Sequence, residues 1–294
     1  MIRLLIVSLG TLLLAGCQSA LFGVINARQP SQGIVAHHDI VFDPATGLSL
    51  DVYAPADARN APVVVFFYGG AWKSGKRQWY RWAGEALAAK GIVAVVPDYR
   101  LWPKVKLDGF VEDGAHAVRW TRDHAGTYGG NPSHLFVMGH SAGGHIAAML
   151  ATDQHWLASV GMKPRDLSGF IGLAGPYDFL PLTNDDYIDM FGHTPVEQAR
   201  SQPVNFVDGD EPPSLLLQGA DDSTVRPSNA LSLQRRYRAH GEDAMVKLYP
   251  GMGHMGILFA LGHGRNKAPV LDDAVAFILL QSRRESSPAV PSSP

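Results

Sequence analysis

Continuous apolar runs separated by helix-like stretches are the feature that most constrains the fold of this 294-residue chain. The runs are rich in Val, Ile, Leu and Phe and end near Gly or Pro, and they are Val63–Tyr68, Ile92–Val96, Leu135–His140, Phe170–Ala174, Ser214–Gln218 and Met245–Tyr249. Unbroken runs of this length are typical of strands that are buried on both faces of a parallel sheet. Their alternation with helical segments predicts an α/β domain with an open, mostly parallel sheet and helices on both faces.

The segments around these runs carry helix and hairpin signals. Three predicted helices end at or near Gly, and they are Gln78–Lys90, Phe110–His124 and Pro227–His240, which also begins at Pro. A fourth, Asp272–Arg284, closes the fold. Ile34–Phe42 and Leu48–Tyr53 alternate apolar with polar residues, which predicts an antiparallel entry hairpin. Because the net charge is −2 and no basic stripe is present, we expect no nucleic-acid partner.

The N-terminus departs from the globular pattern. Arg3 precedes an apolar run over Leu4–Ala15, which is shorter than the roughly 20 residues of a spanning helix and is typical of a secretory leader. The run ends in Leu14–Cys17, which resembles a bacterial lipobox, and Cys17 is the only cysteine of the chain. Cys17 is therefore predicted to be lipidated, anchoring the protein to a membrane. The alternative is an ordinary leader or a frayed first strand with an incidental cysteine.

These signals predict four parts of the chain. A signal peptide covers residues 1–16, the lipidated cysteine and a tether cover 17–32, one folded domain covers 33–282, and a disordered tail rich in Ser and Pro covers 283–294. Gln18, with no Asp after the cysteine, resembles the sorting signal for the outer membrane. The expected location is the cell envelope, with the domain facing the periplasm.

A candidate nucleophile lies where the third apolar run ends. Residues Gly139–Gly143 read Gly-x-Ser-x-Gly between a strand and a helix-like segment. A sharp turn there would strain and expose Ser141 and aim the Ala142 amide into the site as an oxyanion donor. His140 and His145 flank this turn and are predicted to pack or face solvent. The competing interpretation is a Gly-rich turn with an incidental serine.

A serine nucleophile needs a base, and the base needs an acid to orient it. Among twelve histidines, we favour His254, which lies in a Gly-containing loop directly after the last run, over His263 further on. Asp221 and Asp222 both follow the fifth run. We prefer Asp222 as the acid, with Asp178 as the alternative after an earlier strand. The resulting order of Ser, Asp and His is that of α/β-hydrolases.

The first long run ends in a glycine pair that suits an oxyanion loop. Gly70 and Ala71 are the predicted backbone donors, and Gly69 shapes the loop. The competing interpretation of the glycine pair is a plain turn.

Together these elements resemble the α/β-hydrolase superfamily over residues 34–282. The closest resemblance is to carboxylesterases with a His-Gly-Gly-x-Trp loop: bacterial feruloyl and acetyl xylan esterases, kynurenine formamidase and isoprenylcysteine methylesterase. Asp98, Arg100 and Asp113 also resemble that group, and we interpret Asp98 and Arg100 as structural. Tyr68 departs from the family, which usually has His there, although tyrosine can still donate a hydrogen bond.

The resemblance implies an α/β-hydrolase fold with a small cap, and a serine carboxylesterase that acts on short-chain acyl esters through an acyl-Ser141 intermediate. It implies a small-molecule ester substrate and no cofactor or metal. Two alternatives stay open: an arylformamidase-type amidase, and an inactive envelope lipoprotein that binds ligands. The oligomeric state is left open.

Specificity is expected to come from residues 176–211, where an insertion could form the cap. This stretch contains Phe179, Tyr187, Met190 and Phe191, and the alternative is a packed surface loop. Three tryptophans are further candidates for an apolar wall of the site, and they are Trp72, Trp79 and Trp102.

Overall fold

A single sheet organises the part of the chain that the computed structural model describes, which is residues 22–29, 31–262 and 268–286. Its strands are β1 (Ile34–Asp43), β2 (Leu48–Pro55), β3 (Ala61–Phe67), β4 (Val93–Pro97), β5 (Gly130–His140), β6 (Gly169–Leu173), β7 (Ser214–Gly219) and β8 (Ala244–Tyr249). The order across the sheet is β1-β2-β4-β3-β5-β6-β7-β8. β2 pairs antiparallel with β1 and β4, and the remaining neighbours are parallel. The predicted mostly parallel sheet with an antiparallel entry hairpin is confirmed.

Helices pack against this sheet in two groups. They are α1 (residues 22–28), α2 (Arg81–Ala88), α3 (Leu107–His124), α4 (Ala142–Thr152), α5 (Gln154–Ala158), α6 (Asp185–Phe191), α7 (Pro195–Ala199), α8 (Ser228–Ala239), α9 (His254–Phe259) and α10 (Val270–Ser286). α2 and α10 contact each other and the sheet, while α3 contacts α4, and both groups reach β3. Within the described residues, no helix has the length and apolar composition needed to cross a bilayer.

The central strands are buried from end to end, which explains their unbroken apolar sequences. All residues over 63–67 of β3 and 135–138 of β5 are 0% exposed. Each such aliphatic side chain stabilises the fold by about 1.5–3 kcal/mol relative to its exposed state. This burial fixes the carboxyl ends of β3, β5, β7 and β8 at one edge of the sheet, where the loops that carry the candidate site begin.

Both predicted domain boundaries differ from the structure. Residues 22–28 form a helix inside the segment interpreted as a tether, because Phe22 and Ile25, three positions apart, share one face and are each only 6% exposed. At the other end, α10 continues to Ser286, beyond the predicted boundary at residue 282. The signal peptide, Cys17 and residues 287–294 lie outside the described residues.

Candidate active site

Ser141 stands alone between β5 and α4 in a strained backbone conformation. Its φ and ψ are 55° and −122°, a region that residues with a side chain rarely adopt. The glycines on either side allow this turn. A Cβ at Gly139 would lie 2.2 Å from the carbonyl oxygen of Gly143, and one at Gly143 would lie 2.1 Å from that of Phe67. The Gly-x-Ser-x-Gly spacing is thus a steric requirement of the turn.

His254, the first residue of α9, connects Ser141 to a carboxylate. Its Nε2 lies 2.9 Å from Ser141 Oγ, and its Nδ1 lies 2.8 Å from Asp222 Oδ2. Asp222 is 3% exposed. Its other oxygen accepts hydrogen bonds from the amides of Thr224 and Val225, both at 2.9 Å. With its carboxylate held this way, Asp222 fixes the histidine with Nδ1 as donor and leaves Nε2 to accept the serine proton.

The structure separates the three aspartates that the sequence left as candidates for the acid. The side chain of Asp221 is exposed, and its amide donates to the carbonyl of Met252 at 3.0 Å. Asp178 accepts a hydrogen bond from Ser232 on α8. Asp222 alone of the three contacts His254. The other candidate base, His263, lies outside the described residues.

The loop after β3 presents unpaired amides beside the serine. The carbonyl of Gly70 accepts from the amides of Lys73 and Ser74, both at 3.0 Å, which closes a tight turn. Gly70 has a φ of 143°, and a Cβ there would lie 1.9 Å from the Ser74 carbonyl oxygen. Ala71 follows with a φ of 55°.

The amides of Gly70, Ala71 and Ala142 donate to no acceptor within the described residues. Gly70 and Ala71 line the same pocket as Ser141. Ala142 directly follows Ser141 in the chain, so the three predicted oxyanion donors lie beside the predicted nucleophile with unpaired amides.

Three tyrosines hold the loop after β3 in place, including Tyr68, which stands where the resemblance leads one to expect histidine. The hydroxyl of Tyr68 donates to Asp98 Oδ1 at 3.2 Å, so the substituted side chain does donate a hydrogen bond. Tyr99 donates to the carbonyl of Tyr68 at 2.8 Å, and Tyr80 donates to that of Gly69 at 3.3 Å. Burial raises the pKa of the Tyr68 hydroxyl well above its usual value, with Tyr99 and Asp98 adding to the shift, so it stays protonated.

Asp98 and Arg100 tie loops together, as predicted. Asp98 accepts from the guanidinium of Arg77, whose Nε also donates to Asp51 at 2.9 Å. Arg100 Nε donates to both carboxylate oxygens of Asp113 at 2.9 Å. These ion pairs, in which Asp51 and Asp113 are buried, join the loop after β4 to the entry hairpin and to α3.

His140 is a site residue whose role the sequence interpretation missed. It is 2% exposed, its Nε2 donates to the carbonyl of His254 at 3.1 Å, and the two rings lie 4.8 Å apart. Burial, with the neighbouring His254, lowers the pKa of His140 to about 3, so the ring is neutral. The expectation of packing was correct, but the partner is His254, the predicted base. No sequence pattern reports that contact, because 114 positions separate the two residues.

A pocket of about 350 Å³ opens over Ser141 and His254. Beyond the oxyanion loop and the triad, its lining includes the aromatic and apolar side chains of Phe22, Trp79, Tyr80 and Met255, together with the polar residues Lys73 and Thr224. In the part of the chain described by the structure, His, Cys, Asp and Glu form no group of three that could hold a metal ion.

The predicted source of specificity is wrong. No residue over 176–211 lines this pocket. Instead, Phe179, Tyr187 and Phe191 pack around Trp72, whose own side chain is 4% exposed, and Met190 is buried beside them. These rings belong to the core around Trp72, so the stretch packs against the domain as the alternative interpretation expected, although α6 and α7 make part of it helical.

Of the three tryptophans proposed as an apolar wall, Trp79 alone lines the pocket. Trp72 belongs to the core just described. Trp102 instead donates from Nε1 to Asp189 on α6 at 2.8 Å. The indole nitrogen is thereby used to hold the α6 segment to the loop after β4.

An Asp–His–Ser relay at the carboxyl ends of parallel strands, on a sheet with this strand order, defines an α/β-hydrolase with a serine-hydrolase site. Solved structures share the fold. The chain is similar to esterase B from Lactobacillus rhamnosis, with a TM-score of 0.78 at 21% identity, over 95% of this chain and 97% of that one. It is similar to a truncated carbohydrate esterase from gut microbiota, with a TM-score of 0.74 at 20% identity. The match covers 87% of this chain and 100% of that one.

The family follows from the sequence. The model of the family described as BD-FAE matches residues 50–237, more than half of the chain, so the chain belongs to the BD-FAE family. It is 28% identical to a probable isoprenylcysteine alpha-carbonyl methylesterase ICMEL1 of Arabidopsis thaliana, over 73% of this chain and 50% of the relative. It is 29% identical to the esterase LipC of Mycobacterium tuberculosis, over 82% of this chain and 64% of that relative. The chain thus spans about half to two thirds of the length of these relatives.

Proposed function

We propose that this protein is a serine carboxylesterase that hydrolyses short-chain acyl esters. The observation that carries the proposal is the continuous hydrogen-bonded relay from Asp222 through His254 to Ser141, beside unpaired amides in a pocket. The names of the relatives and of the structural neighbours, esterases and methylesterases, agree with it.

The geometry supports a two-step reaction. His254 Nε2 accepts the proton of Ser141 Oγ as that oxygen attacks the ester carbonyl, and Asp222 stabilises the imidazolium. The oxyanion forms beside the amides of Gly70, Ala71 and Ala142. One such donor is worth about 3 kcal/mol of transition-state stabilisation. His254 then protonates the departing alcohol, and a water activated by the same histidine hydrolyses the acyl-enzyme.

The pocket supports a small substrate. A volume of about 350 Å³ lies at the lower end of the range for small-molecule sites, roughly 300–1,000 Å³. A deep tunnel would bury each added CH₂ for about 0.8 kcal/mol and make kcat/KM climb with acyl length. Acetyl to butyryl esters are the proposed substrates, with little activity beyond about eight carbons. The site would also admit a bulky alcohol such as a sugar or an aromatic group, which agrees with the resemblance to acetyl xylan and feruloyl esterases.

The test is a set of p-nitrophenyl esters, acetate, butyrate, octanoate and palmitate, assayed beside N-formylkynurenine and a fluorophosphonate probe. A maximum of kcat/KM at acetate or butyrate, with labelling that Ser141→Ala abolishes, supports the proposal. A maximum at palmitate would indicate a lipase, and a preference for N-formylkynurenine would indicate the arylformamidase alternative. No labelling and no turnover would indicate the inactive binding lipoprotein.

We also propose a lipid anchor at Cys17 that places the enzyme in the cell envelope, at the outer membrane and facing the periplasm. Phe22 lies five positions after Cys17. A fully extended chain of that length spans about 18 Å, so an anchor would hold the catalytic pocket near the membrane surface. Metabolic labelling with palmitate should tag the wild type and not Cys17→Ser. An unlabelled wild type would refute the anchor and leave the esterase proposal intact.

A further inference from the structure

The N-terminal helix contributes an aromatic ring to the catalytic pocket. Phe22, the first residue of α1, lines the pocket together with Trp79 and Tyr80. Its ring stacks on Trp79 at 5.5 Å with an interplanar angle of 7°, and its centroid lies 5.1 Å from that of Tyr80. Since Phe22 is only 6% exposed, it is part of the wall and does not merely rest on the surface.

Two further residues of α1 hold this ring in place. Ile25 is buried on the same face as Phe22. Asn26 uses both ends of its amide: Nδ2 donates to the carbonyl of Gln78 at 2.9 Å, and Oδ1 accepts from the amide of Trp82 at 3.0 Å. The second contact satisfies one of the free amides in the first turn of α2, which has no side-chain cap of its own. Asn26 therefore fixes α1 to residues before and after Tyr80, and this places the Phe22 ring against Tyr80.

The wall formed by Phe22 lies on the oxyanion side of the pocket. Its neighbour Tyr80 donates to the carbonyl of Gly69, which precedes the donor Gly70. An ester carbonyl bound at those amides would extend one of its two substituents past Ser141 along the pocket. Because residues 176–211 do not line the pocket, the aromatic surface available to that substituent comes from Phe22, Trp79 and Tyr80.

We propose that Phe22 is a specificity-determining residue, contacting the apolar substituent of the ester, on its acyl or its alcohol side. The inference rests on the proposed esterase function and adds to it the element that selects the substrate. Within the described residues, the ring contacts of Phe22 are with Trp79 and Tyr80 and not with His254, so it should act on substrate binding and leave the chemical step to Asp222, His254 and Ser141.

The experiment compares kcat and KM of the full chain for two ester series. The acyl series is p-nitrophenyl acetate, butyrate and hexanoate, and the alcohol series is methyl, phenyl and 2-naphthyl acetate. Phe22→Ala should lower kcat/KM about 10-fold for the largest member of one series, mainly through KM, and about 2-fold or less for the smallest member. Phe22→Leu, which keeps most of the apolar surface, should restore most of the loss.

The matched control is Val24→Ala on the same helix, because Val24 is 49% exposed. It should leave both series unchanged. If Phe22→Ala does not fold, Phe22→Trp carries the test, since a larger ring narrows the pocket and should penalise the largest esters selectively. Equal losses across both series in every Phe22 variant, or no loss at all, would overturn the proposal. A wild type that hydrolyses no ester and takes no fluorophosphonate label would instead refute the esterase function.

Discussion

His140 donates its Nε2–H to the backbone carbonyl of His254 at 3.1 Å, so the residue before the proposed nucleophile positions the proposed base. The two rings also lie 4.8 Å apart, with His140 enclosed and neutral. A neutral ring in this place supports the loop that carries His254 without adding a positive charge beside it.

Loss of this contact should therefore weaken catalysis more than substrate binding. His140→Phe keeps a ring of similar size but removes the donor, which costs about 1 kcal/mol and should lower kcat about 5- to 10-fold with KM little changed. His140→Gln retains an amide donor and should recover part of the loss. Kinetics on p-nitrophenyl acetate give the measurement, and an unchanged kcat in His140→Phe would remove His140 from the machinery.

Ser141 should be indispensable for turnover but not for folding. Ser141→Ala should lower kcat about 10⁴-fold or more, because no nucleophile remains beside His254. Urea unfolding should show a midpoint close to that of the wild type. Esterase activity near the wild-type level in purified Ser141→Ala would disprove the assignment of the nucleophile.

Asp222 and Asp221 provide a matched pair, since they are adjacent and only Asp222 contacts the histidine. Asp222→Asn should cost about 10⁴-fold in kcat by presenting an amide to Nδ1 and leaving the wrong tautomer. Asp221→Asn should stay near the wild type because its side chain is exposed. The reverse ranking would move the acid to Asp221, and normal activity in both would point to Asp178.

The buried histidines should make the fold less stable in acid. Burial lowers the pKa of His145 to about 4 from its usual 6.5, and its Nε2 donates to the carbonyl of Ser201 at 2.8 Å. Below pH 6.5 the unfolded chain binds a proton that the folded chain does not. The free energy of unfolding should therefore fall with pH down to about 4, by about 1.4 kcal/mol per pH unit for this residue.

Urea unfolding of the wild type and of His145→Gln at pH 7.5 and 4.5 isolates that contribution. The glutamine cannot titrate but can still donate to Ser201. From pH 7.5 to pH 4.5 the free energy of unfolding should fall in both proteins. The fall should be about 2 kcal/mol smaller in the variant than in the wild type. Equal drops in the two proteins would mean that His145 does not resist protonation in the folded state.

Local physical requirements explain what could be predicted from the sequence. Strands buried on both faces must be apolar throughout, so runs such as Val63–Tyr68 and Ser214–Gln218 revealed the sheet and its mostly parallel order. The turn at Ser141 admits only small neighbours, so Gly139 and Gly143 marked it without any structure. Position after a strand then narrowed the base to His254 and the acid to a few aspartates.

Only the tertiary structure decided between residues that are equivalent in the sequence or distant along it. The Asp221 side chain is exposed, whereas the Asp222 side chain contacts His254 of α9. That difference is set by how the loop after β7 packs against α9. The sequence around an aromatic residue does not indicate whether its ring faces the core or a pocket. Trp72 lies in the core, whereas Trp79 lines the catalytic pocket. Phe22 reached the pocket because Asn26 binds its helix to the first turn of α2 while Ile25 is buried on the same face. These outcomes depend on packing between segments far apart in the chain, which the pattern within any one segment does not contain.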